Sequence, residues 1–101
     1  MISVNVSFIG KDVKSLTVSG HANYDEYGKD IVCAGVSAIV TGGINALESE
    51  MKNVEIINKA NELGVKVVNN NEKIQIILNT ILVQLETIEN SYEKYIKIRR
   101  K

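Results

Sequence analysis

The chain alternates between two kinds of apolar spacing, and this alternation restricts its possible folds more than any other feature. Apolar residues take every second position in Ile2–Phe8, which is typical of a strand with one face buried and one in water. A second β-branched run, Val13–Ser19, follows the turn-like segment Gly10–Asp12. The two runs predict a β-hairpin, with Leu16 and Val18 beneath the first strand.

Two similar runs occur in the middle of the chain, and a shorter one lies near its end. Asn53–Lys59 and Val65–Val68 are typical of strands, and Ala60–Gly64 joins them with a glycine suited to a turn. These runs predict a second hairpin. A last strand is expected at Tyr95–Arg99, where it would complete the sheet.

Each predicted hairpin is followed by a helical segment. Asp30 is suited to cap a helix running to about Met51, because its carboxylate can accept a hydrogen bond from a free backbone N–H group. This helix is apolar on more than one face and needs packing partners on two sides. Its Gly42 and Gly43 each cost about 1 kcal/mol relative to alanine, which predicts either a neighbour packed there or a bend. Apolar spacing in Ile74–Ile88 predicts the second helix.

The elements together follow the order ββαββαβ. Hairpins that alternate with helices favour an α+β fold with two layers, a largely antiparallel sheet and two helices on one face. A chain of 101 residues has room for one hydrophobic core and not for two. We therefore expect residues 1–101 to form a single domain.

Composition narrows the class of protein. Hydrophobic residues make up 45% of the chain and charged residues 24%, as in ordinary globular proteins. The 12 basic residues balance the 12 acidic ones, so no global field attracts the chain to nucleic acid or to an anionic membrane. A single cysteine excludes an internal disulfide, and the first residues lack the features of a signal peptide. No apolar stretch approaches the roughly 20 residues that span a bilayer, so we expect a soluble, cytoplasmic protein.

His21 and Cys33 are the only histidine and the only cysteine in the chain, and a polar segment joins them. The predicted helix places Cys33 in its first turn, where free backbone N–H groups stabilise a thiolate or an oxyanion. His21 would accept the thiol proton, the thiolate would attack an amide carbonyl, and the imidazolium would protonate the leaving amine. Alternatively, Cys33 is a small hydrophobic residue of the core, and His21 is hydrogen-bonded to nearby backbone.

Two neighbouring polar residues also have two interpretations each. Asp30 either orients His21 or only caps the helix, and capping already explains it. Ser37 lies one turn beyond Cys33, where its hydroxyl either binds substrate or bonds to the backbone four residues back. Spacing alone favours the backbone bond.

The segment between the histidine and the cysteine has the composition of a lid. Gly20 and Gly28 bracket it, and the polar residues in Asn23–Lys29 resist burial. Tyr24 and Tyr27 can pack over a bound peptide. Such loops commonly gate access to a site, and the other interpretation is an ordinary exposed connection.

Cofactor chemistry has little support in the sequence. One cysteine and one histidine supply two ligands where a structural zinc site needs four, unless two copies share a site. No glycine-rich phosphate loop is present, because no lysine followed by serine or threonine comes after the helix glycines. The basic end, Lys94–Lys101, is more often a solvated terminus than an RNA contact. We expect no cofactor, no metal and no direct binding of nucleic acid.

Two stretches of the polar segment follow a known pattern. They are Gly20-His21-Ala22-x-Tyr24 and Gly28-x-Asp30-Ile31-Val32-Cys33-Ala34-x-Val36-Ser37. Together they resemble the signature of the Prp family, small bacterial cysteine proteases that process a ribosomal protein. Gly20, Gly28 and Tyr24 belong to the matched stretches, and the resemblance implies that they support the site or bind substrate.

The resemblance implies a cysteine endopeptidase that removes a short N-terminal extension from a large-subunit ribosomal protein precursor, cutting after an aromatic pair. It implies His21 as the base and Cys33 as the nucleophile, with Asp30 and Ser37 in supporting positions. It further implies a homodimer with a mobile loop between the dyad residues. Gly35 departs from the pattern, where alanine is usual, and the missing methyl group is expected to loosen the helix start and affect the rate.

Two other classes of function fit the same residues. In a non-catalytic ribosome-assembly module, Cys33 would belong to the core and the loop after Gly20 would be an interaction surface. In a redox sensor, Cys33 would be oxidised without any need for His21. The reactivity of the native thiol separates these classes from a protease.

Overall fold

The structure is a computed structural model that describes residues 1–20 and 27–101, with the backbone alone at 27–30. Its long elements are β1 Ile2–Ile9, β2 Asp12–Ser19, α1 Tyr27–Ala46, β3 Val54–Lys59, β4 Glu62–Val67, α2 Glu72–Ser91 and β5 Ile96–Arg100. Both the predicted order ββαββαβ and the two-layer α+β class are confirmed. The β5 strand is displaced by one residue from its prediction, and β2 and β3 differ from theirs by one residue at their starts.

The strands form one sheet in the order β3-β4-β2-β1-β5. Within the described residues, β1 and β5 run parallel, and the other neighbouring pairs are antiparallel. The first hairpin joins β1 to β2, with an irregularity between Ser7 and Phe8, and the second joins β3 to β4. The largely antiparallel sheet predicted from the sequence is therefore confirmed.

The hydrophobic core lies between the sheet and the two helices. Val6, Leu16 and Val65 are paired side by side across β1, β2 and β4, and each is buried. They share one cluster with Leu78 and Leu85 of α2, which are also buried. The alternating pattern of β1 directs its apolar residues to this face, so the helices cover one face of the sheet.

The turn of the second hairpin is shorter than the sequence predicts. The strand β4 begins at Glu62, so Leu63 and Gly64 belong to the strand and the turn consists of Ala60–Asn61. A Cβ atom on Gly64 would collide with the carbonyl oxygen of Leu16 on β2. The glycine therefore marks a close approach of neighbouring backbone, and its assignment to the turn was wrong.

Helix α1 differs from its prediction at both ends. It begins at Tyr27, so Asp30 lies inside the first turn and is not the N-cap, and it ends at Ala46 rather than near Met51. A short 3₁₀ turn, Glu48–Glu50, follows it. An acidic residue is favourable both at the N-cap and within the first turn, because both positions face the positive end of the helix dipole. The residue type therefore did not fix the start of the helix.

The two adjacent glycines of α1 have different surroundings. A Cβ atom on Gly43 would lie 2.5 Å from Cγ1 of Ile81 on α2, closer than real Cβ atoms approach, whereas Gly42 faces open space. Of the two alternatives, a packed neighbour is therefore the right one at Gly43. Helix α1 contacts α2 as well as the sheet, so its wide apolar surface has the two partners that it requires.

Helix α2 has the predicted spacing. Ile74, Leu78, Ile81 and Leu85 are buried. At its start, the side-chain oxygen of Asn71 accepts a hydrogen bond from the backbone N–H of Ile74 at 2.9 Å, as an N-cap does. Neither long helix in the described residues combines the length and the hydropathy of a membrane-spanning segment.

Candidate active site

A small cleft opens where the end of β2, the middle of α1 and the turn between β3 and β4 meet. Its volume is about 180 Å³. It is lined by Val18, Gly20, Val36, Ser37, Val40 and Lys59–Leu63. We call this space the β2–α1 cleft. Two of the predicted site residues, Gly20 and Ser37, meet here although they lie on different elements.

Gly20 follows directly after β2 and precedes His21 in the chain. Its backbone has φ +97°, a left-handed conformation that L side chains rarely adopt. A Cβ atom at this position would also collide with the carbonyl oxygen of Met1. Both constraints require glycine, and together they fix the point from which the chain leaves the sheet toward the predicted base.

Cys33 is the seventh residue of α1 and therefore lies in the second turn rather than the first. Its side chain is half-buried and packs against the hydrophobic core. Because the helix starts six residues earlier, helical geometry gives the N–H group of Cys33 a partner four residues back. The expectation of free N–H groups at the thiol is therefore wrong, and the cause is the earlier start of α1.

Ser37 lies one helical turn after Cys33 and is exposed in the β2–α1 cleft. Residues four positions apart on a helix lie on the same face, about 6 Å from each other along the axis. The cleft therefore lies on the same face of α1 as the thiol. Thr80 and Thr87 of α2 donate to the carbonyls four residues back at 2.7 and 2.9 Å. Within the part of the chain that the structure describes, the Ser37 hydroxyl makes no such bond. The backbone-bonding interpretation of Ser37 is therefore not supported.

The other predicted site residues lie at or beyond the edge of the described part. Asp30 and Gly28 belong to the first turn of α1 by their backbone. His21 and Tyr24 lie outside the described residues, as does most of the predicted lid, Asn23–Lys29. The proximity of His21 to Cys33 stays a prediction. The predicted lid is shortened at one end, because its last three residues are helical.

The turn between β3 and β4 forms a wall of the cleft that the sequence analysis missed. Lys59–Leu63 reach the cleft because β4 pairs with β2, which brings Glu62 opposite Ser19 and Leu63 opposite Val18. No local motif marks these residues. Only the strand order could have revealed them, since the turn is about 40 positions from the polar segment in sequence.

The charges on this wall balance. Lys59 and Glu62 are opposite each other in the register of the hairpin, and the rest of the described lining is neutral. The described lining therefore has no net charge that would select an ionic ligand. In the described residues no three His, Cys, Asp or Glu side chains come together as a metal-binding group.

Comparisons with known proteins bear on this cleft and its fold. The sequence model of a family described as cysteine protease Prp matches residues 1–97. The ribosomal processing cysteine protease Prp of Staphylococcus aureus strain Mu50 is 38% identical over 104 aligned residues, which cover 99% of this chain and 97% of that protein. The protein of the same name from Mycoplasma genitalium is 33% identical and covers 97% of this chain, with 94% of its own length aligned.

A solved structure has the same fold at full length. The crystal structure of the Prp protease from S. aureus in complex with a substrate peptide matches this structure with a TM-score of 0.89 and 35% identity over 100% of both chains. The match of the family model to nearly the whole sequence agrees with this similarity. The chain therefore belongs to the Prp family of cysteine proteases.

Proposed function

We propose that this chain is an endopeptidase that removes the short N-terminal extension of a large-subunit ribosomal protein precursor in the cytoplasm. In this proposal Cys33 is the nucleophile and His21 is the general base. The main structural support for this site is the β2–α1 cleft. Gly20 borders the cleft on one side, and the helix that contains Cys33 borders it on the other. The names of the relatives, which refer to ribosomal processing, support the substrate.

The proposed reaction has two stages. The His21 imidazole takes the proton of the Cys33 thiol, and the thiolate attacks the carbonyl carbon of the scissile amide. The imidazolium then protonates the leaving nitrogen, so the C–N bond breaks and a thioester remains. In the second stage His21 deprotonates a water molecule, which attacks the thioester. The C–S bond breaks, the imidazolium returns its proton to the sulfur of Cys33, and the carboxyl product leaves.

The remaining predicted residues have supporting roles in this proposal. Ser37 presents a hydroxyl to the peptide one turn away from the nucleophile, and its position in the lining of the β2–α1 cleft supports this role. Gly20 holds the position from which His21 enters the site. Asp30 orients the imidazole, Tyr24 belongs to the segment that closes over the peptide, and Gly28 supports the site from the first turn of α1.

We also propose that the enzyme is a homodimer. Ile76 and Val83 of α2 are each 59% exposed, and their spacing of seven places them on one face of the helix. Ile76 also lines an apolar groove of about 470 Å³ between α1 and α2. A second copy packed on this face would remove both side chains from water. Light scattering should then give the mass of a dimer for the wild type and of a monomer for Val83→Lys. A lysine at the exposed Asn58 should leave the dimer intact.

The experiment that tests the protease is cleavage of a peptide spanning the extension junction, followed by mass spectrometry. The wild type should cut the peptide at one bond with no nucleic acid present. Cys33→Ala should leave it intact, and His21→Ala should lower kcat by at least about 100-fold, the usual minimum for the loss of a general base. Cutting by Cys33→Ala at the wild-type rate would exclude Cys33 as the nucleophile.

A further inference from the structure

The β2–α1 cleft has an apolar floor and a polar rim. Its apolar residues come from three elements: Val18 from β2, Val36 and Val40 from α1, and Leu63 from β4. Ser37 and the charged pair Lys59 and Glu62, which flank the hairpin turn, form the rim. A charged side chain that reached this floor would lose its hydration without finding a polar side chain among these four residues. The chemistry of the floor therefore fits an aliphatic or aromatic group.

The size of the cleft fits a single side chain. Its volume of about 180 Å³ lies below the roughly 300–1,000 Å³ that small-molecule sites enclose. The cleft also continues the helical face of Cys33, with Ser37 between the thiol and Val40. A peptide bound with its scissile bond at the thiol would therefore have a neighbouring side chain over the floor.

The backbone of Leu63 is held in a fixed position where this residue lines the cleft. It pairs with Val18 of β2 on one side and with Asn58 of β3 on the other, so strand hydrogen bonding fixes its backbone from both directions. Val36 and Val40 are 4% and 2% exposed, so their side chains belong mainly to the core. Leu63 is half-buried and keeps part of its surface toward the cleft.

We propose that the β2–α1 cleft binds one apolar side chain of the substrate peptide, and that Leu63 sets the size of the side chain accepted. The inference rests on the proposed function, because it assumes that the bound molecule is the peptide to be cut. Nothing in the sequence motif around Cys33 points to Leu63, which lies 30 positions away. Its role comes from the pairing of β4 with β2.

The test compares peptides that differ in the size of one side chain. Each position flanking the junction is occupied in turn by alanine, leucine or phenylalanine, and kcat/KM is measured for each peptide. Leu63→Ala should raise the preference for phenylalanine over alanine about ten-fold at one position, and Leu63→Phe should lower it by a similar factor. Leu63→Val, the mildest change, should shift the ratio in the same direction as Leu63→Ala but by less.

The ratio of two peptides on one enzyme preparation does not depend on how much of that preparation is folded. Ile56→Ala is a matched control, because Ile56 is a half-buried aliphatic residue of β3 that packs on the core and does not line the cleft. It should lower stability without changing the size preference. A size preference that is the same for the wild type and every Leu63 variant at every position would overturn the inference. A wild type that cuts none of the peptides would instead contradict the proposed function.

Discussion

Gly35 of α1 faces Ile88 of α2, and a Cβ atom on Gly35 would lie 3.1 Å from Cδ1 of Ile88. Gly35, where the resemblance to the family leads one to expect alanine, is thus part of the helix–helix interface, two residues after Cys33. The isoleucine side chain occupies the space beside the glycine. Gly35, on the helix that carries Cys33, therefore has a packing partner on α2.

This contact predicts that Gly35 and Ile88 are energetically coupled. Gly35→Ala gains about 1 kcal/mol of helix propensity, but Ile88 has to move to make room for the new methyl group. We expect little net change in the free energy of unfolding in the wild type and nearly the full gain in an Ile88→Val background. Urea unfolding of the four proteins of the double-mutant cycle measures this coupling. Additive effects of the two substitutions would contradict the contact.

The surroundings of Gly20 predict a larger loss of stability on substitution than those of Gly10. Gly20→Ala combines a left-handed backbone with a collision against the carbonyl oxygen of Met1, and we expect it to destabilise the fold by about 3 kcal/mol and to abolish most cleavage. Gly10→Ala is the matched control, because Gly10 has φ +60° but nothing within 4 Å of the added atom. That variant should cost about 1 kcal/mol and remain active. Equal losses for both would show that the collision has no effect.

The sequence predicted those parts of the fold that depend on neighbouring residues. In a strand or helix with one buried face, apolar residues recur with the period of that element. The alternation in β1 and the apolar spacing in α2, at Ile74, Leu78 and Leu85, therefore indicate which face is buried. The N-terminal boundary of α1 was less predictable. Asp30 is compatible with two positions at the start of a helix, so its identity alone could not choose between them.

Features that depend on distant residues were not predictable in the same way. From the sequence alone, Gly64 resembles a turn residue. The pairing of β2 with β4 shows instead that the carbonyl of Leu16 leaves no space for a side chain at this position. Leu63 enters the cleft through the same pairing. In the candidate site, Gly20 and Ser37 were both selected from the sequence and do meet in the structure. The arrangement of His21 relative to Cys33 stays a prediction.

The hydrogen bonds of the Glu50 carboxylate predict that the stability of the fold depends on pH. Its carboxylate accepts hydrogen bonds from the side-chain amides of Asn71 at 2.6 Å and Asn53 at 3.1 Å, and these bonds lower the pKa of Glu50 below its ordinary value near 4.5. A carboxyl whose pKa is lower in the folded chain stabilises it above the ordinary pKa, and this contribution is lost as the pH falls through the lowered value. Glu50→Gln should therefore lower Tm at pH 7 and have less effect at pH 3. A Tm difference that is the same at both pH values would contradict this linkage.

The position of Cys33 in the second turn of α1 predicts that its reactivity depends on the imidazole. The field of a helix N-terminus acts mainly within the first turn, and helical geometry already gives the N–H group of Cys33 a partner. If His21 and Cys33 form the proposed dyad, iodoacetamide should modify the native thiol at pH 6.5, and His21→Ala should slow this reaction at least about ten-fold. In urea both proteins should react equally, because unfolding separates the two groups. Native wild-type protein that resists alkylation would place Cys33 in the core, as in a binding module. Equal native rates with and without His21 would match a redox thiol and exclude the dyad.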